Sequence, residues 1–318
     1  MITLTGETMG SLWQVKIAQD QIPIQDTQTI RRSIELVLAM INDRMSTFIP
    51  TSEIEQINQN HSTSPIKISP EMHEVLTHAL CVCKETDGIY DITVGDLVNA
   101  WGFGPVKTVN RPENAQIQEL LKHVGWQKIS LTTDGYLLKT DAHVRLDLCS
   151  IAKGYAIDKV AQLLESWGYH DYLIEIGGEA CVSGYKYHEP WHIGIERPEW
   201  GGGHHYEQIL GLGGTKLSMA TSGNYKNYIK QGNIVTAHEI DTRTGYTKYS
   251  SLLSVTVIAP TCMMADSYAT ALYLLDTQAL EFATTHNIAA FFIIHDPSLE
   301  QGYRTVISPK FKTLVMQK

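Results

Sequence analysis

Apolar positions along the chain switch between helical and strand rhythms. Ile30, Ile34, Val37, Leu38, Ile41 and Met45 recur with helical spacing, which predicts a core helix between Ile24 and Met45. A second predicted helix opens at Ser69 as N-cap with Pro70 in its first turn, turns Val75, Leu76, Ala79 and Leu80 inward, and stops near Gly88. Further helices are predicted around 117–124 and over 151–167. Stretches 11–17, 128–132, 136–140, 172–176, 191–196, 254–259 and 289–294 are rich in β formers and read as strands, with Asp134-Gly135 marking a hairpin. Glycine clusters at 201–203 and 211–214 read as flexible connectors, neither resembling a domain linker. With no tandem repeat, these elements predict an α+β architecture of mixed sheets and helices, one compact domain over 1–318 with one lobe or two.

Composition narrows the function. Charged residues make up 19% of the chain and no apolar run approaches the roughly 18 residues of a membrane span, so a globular fold is expected. The net charge of -9, with only 25 Lys and Arg scattered along the chain, argues against nucleic acid as a partner. An acidic chain that binds phosphates needs a metal ion or backbone N–H groups to face them. Cys81, Cys83, Cys149, Cys181 and Cys262 lack zinc spacing and read as buried small residues. The N-terminus shows no basic stretch followed by an apolar one, so no export signal is expected within this chain.

Several segments offer chemistry, each with an ordinary structural alternative. Asp266 and Thr270 lie four apart, so on a helix their oxygens share one face; they suit Mg²⁺, or they are a helix-start charge and a back-bonding threonine. Lys153 falls in the first turns of a helix after Asp147, either an anion site or an exposed lysine with a helix cap. His238, in Ala237-His-Glu-Ile-Asp241, could exchange protons with a hydroxyl or simply pack, with Ile240 projecting to the same side. Thr221-Ser222-Gly223 is a polar cradle or a turn, and Gly177-Gly178-Glu179 permits close approach of a ligand or forms a bulge. Trp101 and Phe103, flanked by glycines, suit stacking on a flat ring or core packing.

Taken in order, these segments resemble the FAD:protein FMN transferase family, the ApbE-type flavin transferases, over nearly the whole chain. The matching stretches are Met9-Gly-Ser11, Met45-Ser-Thr-Phe48 with Ser52-Glu53 and Asn58, Asp91 to Gly95, and Trp101-Gly-Phe-Gly104. They continue with Leu146 to Asp158, Glu175 to Glu179, Ala220 to Gly223, His238 to Gly245 and Ala265 to Thr270. Ser11, Ile92, Cys149, Ser150 and Thr242 depart from the usual residues, and none of these changes removes a charged or metal-binding group.

The resemblance implies a T-fold-like unit with FAD, the substrate, in a cleft between lobes and Mg²⁺ at its pyrophosphate. The metal ligands it implies are Asp266, Thr270 and the backbone carbonyl of Ser150. Met9, Phe48, Trp101, Phe103, Glu179, Thr221, Ser222 and Gly223 match stretches lining the flavin and adenine pocket. His238 is the implied base and Lys153 assists at the phosphates. The implied reaction moves FMN from FAD to a threonine of an acceptor protein and releases AMP. The acceptor would be an electron-transfer flavoprotein with an Asp-Gly-(Ala/Ser)-Thr motif. The rivals are an FAD pyrophosphatase with water as acceptor and a non-catalytic flavin carrier. The resemblance places the protein on the periplasmic side of a bacterial inner membrane, with the cytoplasm as the alternative.

Overall fold

The computed structural model describes residues 1–19, 22–105, 111–198, 205–223, 228–231 and 234–316; the glycine cluster at 201–203 lies outside them. Strands β1 (Ile2–Thr8) and β2 (Ser11–Ile17) form a hairpin closed by Met9 and Gly10, both at positive φ (50° and 68°). Two left-handed residues in a two-residue loop match the right-handed twist of the strands. Helix α1 (Ile24–Met45) buries Ile30, Ile34, Leu38, Ile41 and Met45, the stripe read from the sequence. Helix α2 (Glu53–Gln59) is capped by Ser52, and after β3 (Ile66–Lys67) helix α3 (Pro70–Glu85) is capped by Ser69 with Pro70 at its start. Next come α4 (Gly95–Ala100), α5 (Asn114–Leu121), the hairpin β4 (Ile129–Leu131) and β5 (Tyr136–Lys139), and α6 (Ala152–Ser166).

The chain continues through β6 (Tyr172–Ile176), β7 (Glu179–Gly184), β8 (Trp191–Glu196), β9 (Tyr206–Leu212), β10 (Gly214–Gly223), β11 (Tyr228–Gln231), β12 (Ile234–Ala237) and β13 (Leu252–Ala259). It ends with α7 (Cys262–Leu275), α8 (Ala279–Thr285), β14 (Ala289–His295), β15 (Tyr303–Ile307) and α9 (Pro309–Met316). No helix among the described residues is long and apolar enough to cross a membrane.

The chain divides into two compact units. The first comprises Met1–Met40, Lys153–Lys226 and Ser251–Lys318; the second comprises Ile41–Ala152 and Asn227–Ser250. The first holds an eight-stranded sheet in the order β1-β2-β6-β7-β10-β13-β14-β15, every neighbouring pair antiparallel. One face buries Leu173, Val182, Met219, Ile258, Phe291 and Ile293 with Trp191 and Leu210 of the β8–β9 hairpin and Phe311 of α9. Because side chains alternate along a strand, their immediate neighbours face the other way, and α7 packs across β10 and β13 there. The second unit holds the sheet β3-β5-β4, the pair β11-β12, and a core of Leu97, Trp101, Ile117 and Ile240.

The structure departs from the sequence reading in five places. Strand β1 went unread because its alternating threonines belong to an edge strand. The segment 211–214 is no connector: Gly211 and Leu212 end β9 and Gly214 starts β10, with Gly213 between. Residues 220–223 are strand rather than turn, and Gly177-Gly178 is a two-residue hairpin turn rather than a bulge. Cys81 and Cys149 are exposed, while Cys83, Cys181 and Cys262 are buried as expected, and all five are free thiols. Burial pushes Cys181 up to about 12, which makes it an inert packing residue.

Candidate functional site

In the first unit the chemistry gathers where α6 and α7 meet the sheet. The Asp266 side chain is buried, and its Oδ2 accepts the backbone N–H of Gly154, in the first turn of α6, at 2.9 Å. One turn further along α7, the Thr270 hydroxyl lies 2.9 Å from that of Ser222 on β10. The i, i+4 spacing therefore puts a buried carboxylate and a hydroxyl on one helix face, as expected. Gly154 allows the helices this close, since a Cβ there would stand 2.3 Å from the Cys262 carbonyl oxygen. Asp158, four residues along α6, accepts the N–H groups of Cys262 and Met263 at 2.7 and 2.8 Å.

Lys153 is neither an exposed lysine nor an isolated anion site. Its ammonium lies 2.5 Å from Glu179 Oε1, and the Glu179 side chain is only 6% exposed. Glu179 Oε2 is buried with no hydrogen-bond partner among the described residues. A buried acceptor in that state is a place for a ligand's N–H or O–H donor. Glu179 begins β7 directly after the Gly177-Gly178 turn, and the Gly177 N–H donates to the Leu12 carbonyl at 3.1 Å. Register thus brings the Met9-Gly10 turn, the Gly177-Gly178 turn and the Ser222-Gly223 end of β10 to one end of the sheet. Met9 holds φ 50°, an unfavourable conformation for a long side chain and of the kind kept at functional turns. Thr221 is separated from this cluster: it faces away from α7, and its hydroxyl pairs with that of Thr256 at 2.8 Å.

In the second unit, His238 is half-buried with Nε2 3.1 Å from Oε1 of the buried Glu239, and Phe103 meets its ring edge-on at 6.2 Å. Phe103 also packs against the core containing Ile240. Trp101 is part of that core, 8% exposed, and its indole N–H donates to the Gly245 carbonyl at 2.8 Å. The indole shares that core with Leu97, Ile117 and Ile240, and Tyr246 meets it edge-on at 5.9 Å. Phe48 is 53% exposed.

The turn after His238 is tightly fixed. Asp241 accepts two hydrogen bonds from the Arg243 guanidinium, and the Thr242 hydroxyl donates to the Gly88 carbonyl at 2.6 Å. Asn58 pairs with both backbone groups of Leu146, and Arg145 binds Glu55, which anchors the segment leading to Ser150. Within it the Ser150 hydroxyl donates to the Tyr90 hydroxyl at 3.0 Å. Burial raises the pKa of the Asp147 carboxyl, and the Cys149 N–H draws it partly back.

Among the described residues no three or more His, Cys, Asp or Glu side chains form a metal cluster. Mg²⁺ takes one or two protein carboxylates and completes its shell with phosphates and water. Asp266 and Thr270 offer an all-oxygen donor set of this kind. Sequence reasoning missed Asp158, Gly154 and Glu239 as residues that hold the functional ones. Asp158 and Gly154 stood inside the 146–158 stretch, yet their partners lie more than a hundred residues away.

The sequence profile of the ApbE family matches residues 9–292. A Haemophilus influenzae protein named FAD:protein FMN transferase is 39% identical over 325 residues, covering 100% of this chain and 92% of that protein. A Vibrio cholerae protein of the same name is 34% identical over 318 residues, covering 98% and 92%. Among solved structures, the flavin transferase ApbE from Vibrio cholerae matches with TM-score 0.88 at 32% identity and 98% coverage of each chain. The apo flavinyl transferase ApbE of Pseudomonas stutzeri matches with TM-score 0.85 at 31% identity, covering 99% of this chain and 97% of that one.

Proposed function

The chain belongs to the ApbE family, and we propose that it transfers the FMN half of FAD to a threonine of an acceptor protein, releasing AMP. The observation that carries this reading is the buried Asp266, held by Gly154 with Thr270 on the same helix face, in a chain similar to FAD:protein FMN transferases over its full length. Asp266 and Thr270 would hold Mg²⁺, which offsets the charge of a pyrophosphate and polarises its phosphorus.

The acceptor threonine Oγ attacks the FMN phosphorus, the Oγ–P bond forms, and the bond to the bridging oxygen breaks. AMP departs with that electron pair. His238 takes the hydroxyl proton, which the oxygen cannot shed unaided near neutral pH. Glu239 beside Nε2 orients the ring. Glu179 Oε2 accepts a donor from bound FAD, and Lys153, paired with Glu179 Oε1, lends its charge to the phosphate end. An Asp-Gly-(Ala/Ser)-Thr segment on an electron-transfer flavoprotein is the acceptor the family resemblance suggests.

Incubation with FAD, Mg²⁺ and an acceptor domain carrying that segment, followed by mass spectrometry, tests the reading. The expected product is acceptor enlarged by FMN less water, with equimolar AMP. FMN and AMP beside an unmodified acceptor would make the protein a pyrophosphatase, and intact FAD would make it a carrier. His238→Ala should bind FAD normally and leave the acceptor unmodified.

A further inference from the structure

Helices α6 and α7 clasp each other through two aspartates. On α6, Gly154 offers its N–H and Asp158, four residues on, its carboxylate. On α7, Cys262 offers its N–H and Asp266, again four residues on, its carboxylate. Gly154 donates to Asp266 at 2.9 Å, while Cys262 and Met263 donate to Asp158 at 2.7 and 2.8 Å. Each helix thus satisfies first-turn amides with the other's carboxylate, and one turn of helix separates the two bonds.

We infer that Asp158 is a positioning residue for Asp266, fixing the carboxylate's place and orientation rather than merely capping a helix. Helix α7 already has its own cap: the Thr261 hydroxyl accepts the Met264 N–H at 3.3 Å, and the Thr261 carbonyl accepts that of Ala265 at 3.1 Å. Asp158 takes the two remaining amides from another element, so it sets the position of α7 along α6. That position brings Gly154 N–H onto Asp266 Oδ2 and fixes which way the carboxylate faces. The contact has little slack, because Gly154 meets the Cys262 backbone where no side chain would fit. The inference rests on the reading of Asp266 as a magnesium ligand. Groups that orient a ligand in this way commonly govern metal affinity more than the chemical step.

The experiment compares the full chain with Asp158→Asn, which keeps one acceptor oxygen but turns an NH₂ group toward a backbone N–H, and with Gly154→Ala, which pries the same contact from the other side. Both should raise the Mg²⁺ concentration for half-maximal AMP release about tenfold or more. The maximal rate at saturating Mg²⁺ should stay within about threefold of the parent, the signature of lost binding without lost chemistry. FAD affinity without metal, read from flavin fluorescence, should be unchanged. Hydrogen exchange on the metal-free protein should quicken at Cys262, Met263 and Gly154 and stay slow along β13.

An Asp158→Asn protein that melts earlier but keeps the parental Mg²⁺ midpoint overturns the inference, leaving Asp158 an ordinary cap. So does unchanged exchange at Gly154. A parent that releases AMP equally well in EDTA overturns the metal reading itself, and this inference with it. A parent that needs Mg²⁺ beside a variant with an unshifted midpoint overturns the inference alone.

Discussion

The indole N–H of Trp101 donates to the carbonyl of Gly245 at 2.8 Å, joining the residue after α4 to the turn that follows His238. Gly245 is held at φ +73°, and a Cβ there would stand 2.5 Å from Ile117 Cγ2. The turn is therefore built against the core of the second unit, and Trp101 supplies both its apolar backing and one hydrogen bond.

Replacing Trp101 by Phe keeps most of the packing and removes the donor. The Gly245 carbonyl then loses a buried partner, which should cost about 1–2 kcal/mol in urea unfolding. Flavin transfer should slow while FAD affinity, read by fluorescence titration, stays within about twofold, because the change acts on the His238 segment and not on ring stacking. A loss of FAD affinity with normal stability would instead make Trp101 a stacking residue.

Lys153 and Glu179 should show asymmetric single-mutant costs. Lys153→Met leaves the nearly buried Glu179 carboxylate without its cation, a loss of about 2–4 kcal/mol, whereas Glu179→Gln removes the charge that needs one. The double variant should recover much of the difference, so a double-mutant cycle by chemical denaturation should give coupling above about 1 kcal/mol. Additive effects would mean that the pair contributes nothing as a pair.

Asp241 carries a pH dependence. Burial acts to raise its pKa, but hydrogen bonds from the Arg243 side chain and backbone and the charges of Arg243 and Lys248 outweigh it, leaving the carboxyl below its ordinary value. A group depressed in the folded state contributes stability that is complete above the unfolded value, about 3.9, and disappears as pH falls through the folded one. The stability gap between the parent and Asp241→Asn should therefore be widest above about pH 5 and narrow toward pH 2, measured by calorimetry across that range. A gap that does not change with pH would dissociate the ion pair from folding.

Local signals in the sequence were sufficient where one segment decides its own structure. The stripe of α1 and the Ser69-Pro70 start of α3 are set by side chains within a turn or two of each other. Strand β10 was not legible in this way, because Gly214-Thr-Lys-Leu-Ser-Met-Ala-Thr-Ser-Gly223 is poor in strand formers. Its extended form is imposed by β7 and β13 on either side. The same limit applied to the site. Asp266, Thr270, Lys153 and His238 could be singled out by residue type and spacing, but not the partners that hold them. Gly154 and Asp266 are 112 positions apart, and Ser222 and Thr270 are 48. The alternation that sends Ser222 toward Thr270 and Thr221 to Thr256 becomes visible only once β10 is known to be a strand.

Asp266→Asn is the sharpest test of the proposed chemistry, because it separates the helix contact of this carboxylate from the metal binding proposed for it. One oxygen accepts the Gly154 N–H, and an asparagine carbonyl can do the same, so the clasp between α6 and α7 should survive and the melting temperature should change little. The negative charge is the part that a dication needs and an amide lacks. AMP release at saturating FAD should consequently fall by several orders of magnitude, since metal-ion stabilisation contributes several kcal/mol to such a step. FAD should remain bound in the absence of metal. Thr270→Val provides the contrast: it removes one neutral oxygen and leaves the Ser222 hydroxyl without that partner, so it should cost about 1 kcal/mol in stability. Its turnover should fall less than that of Asp266→Asn and be partly restored by raising Mg²⁺, as expected when affinity rather than charge is lost. Parental AMP release from Asp266→Asn in EDTA would remove Asp266 from the metal site and leave the reaction without its proposed centre.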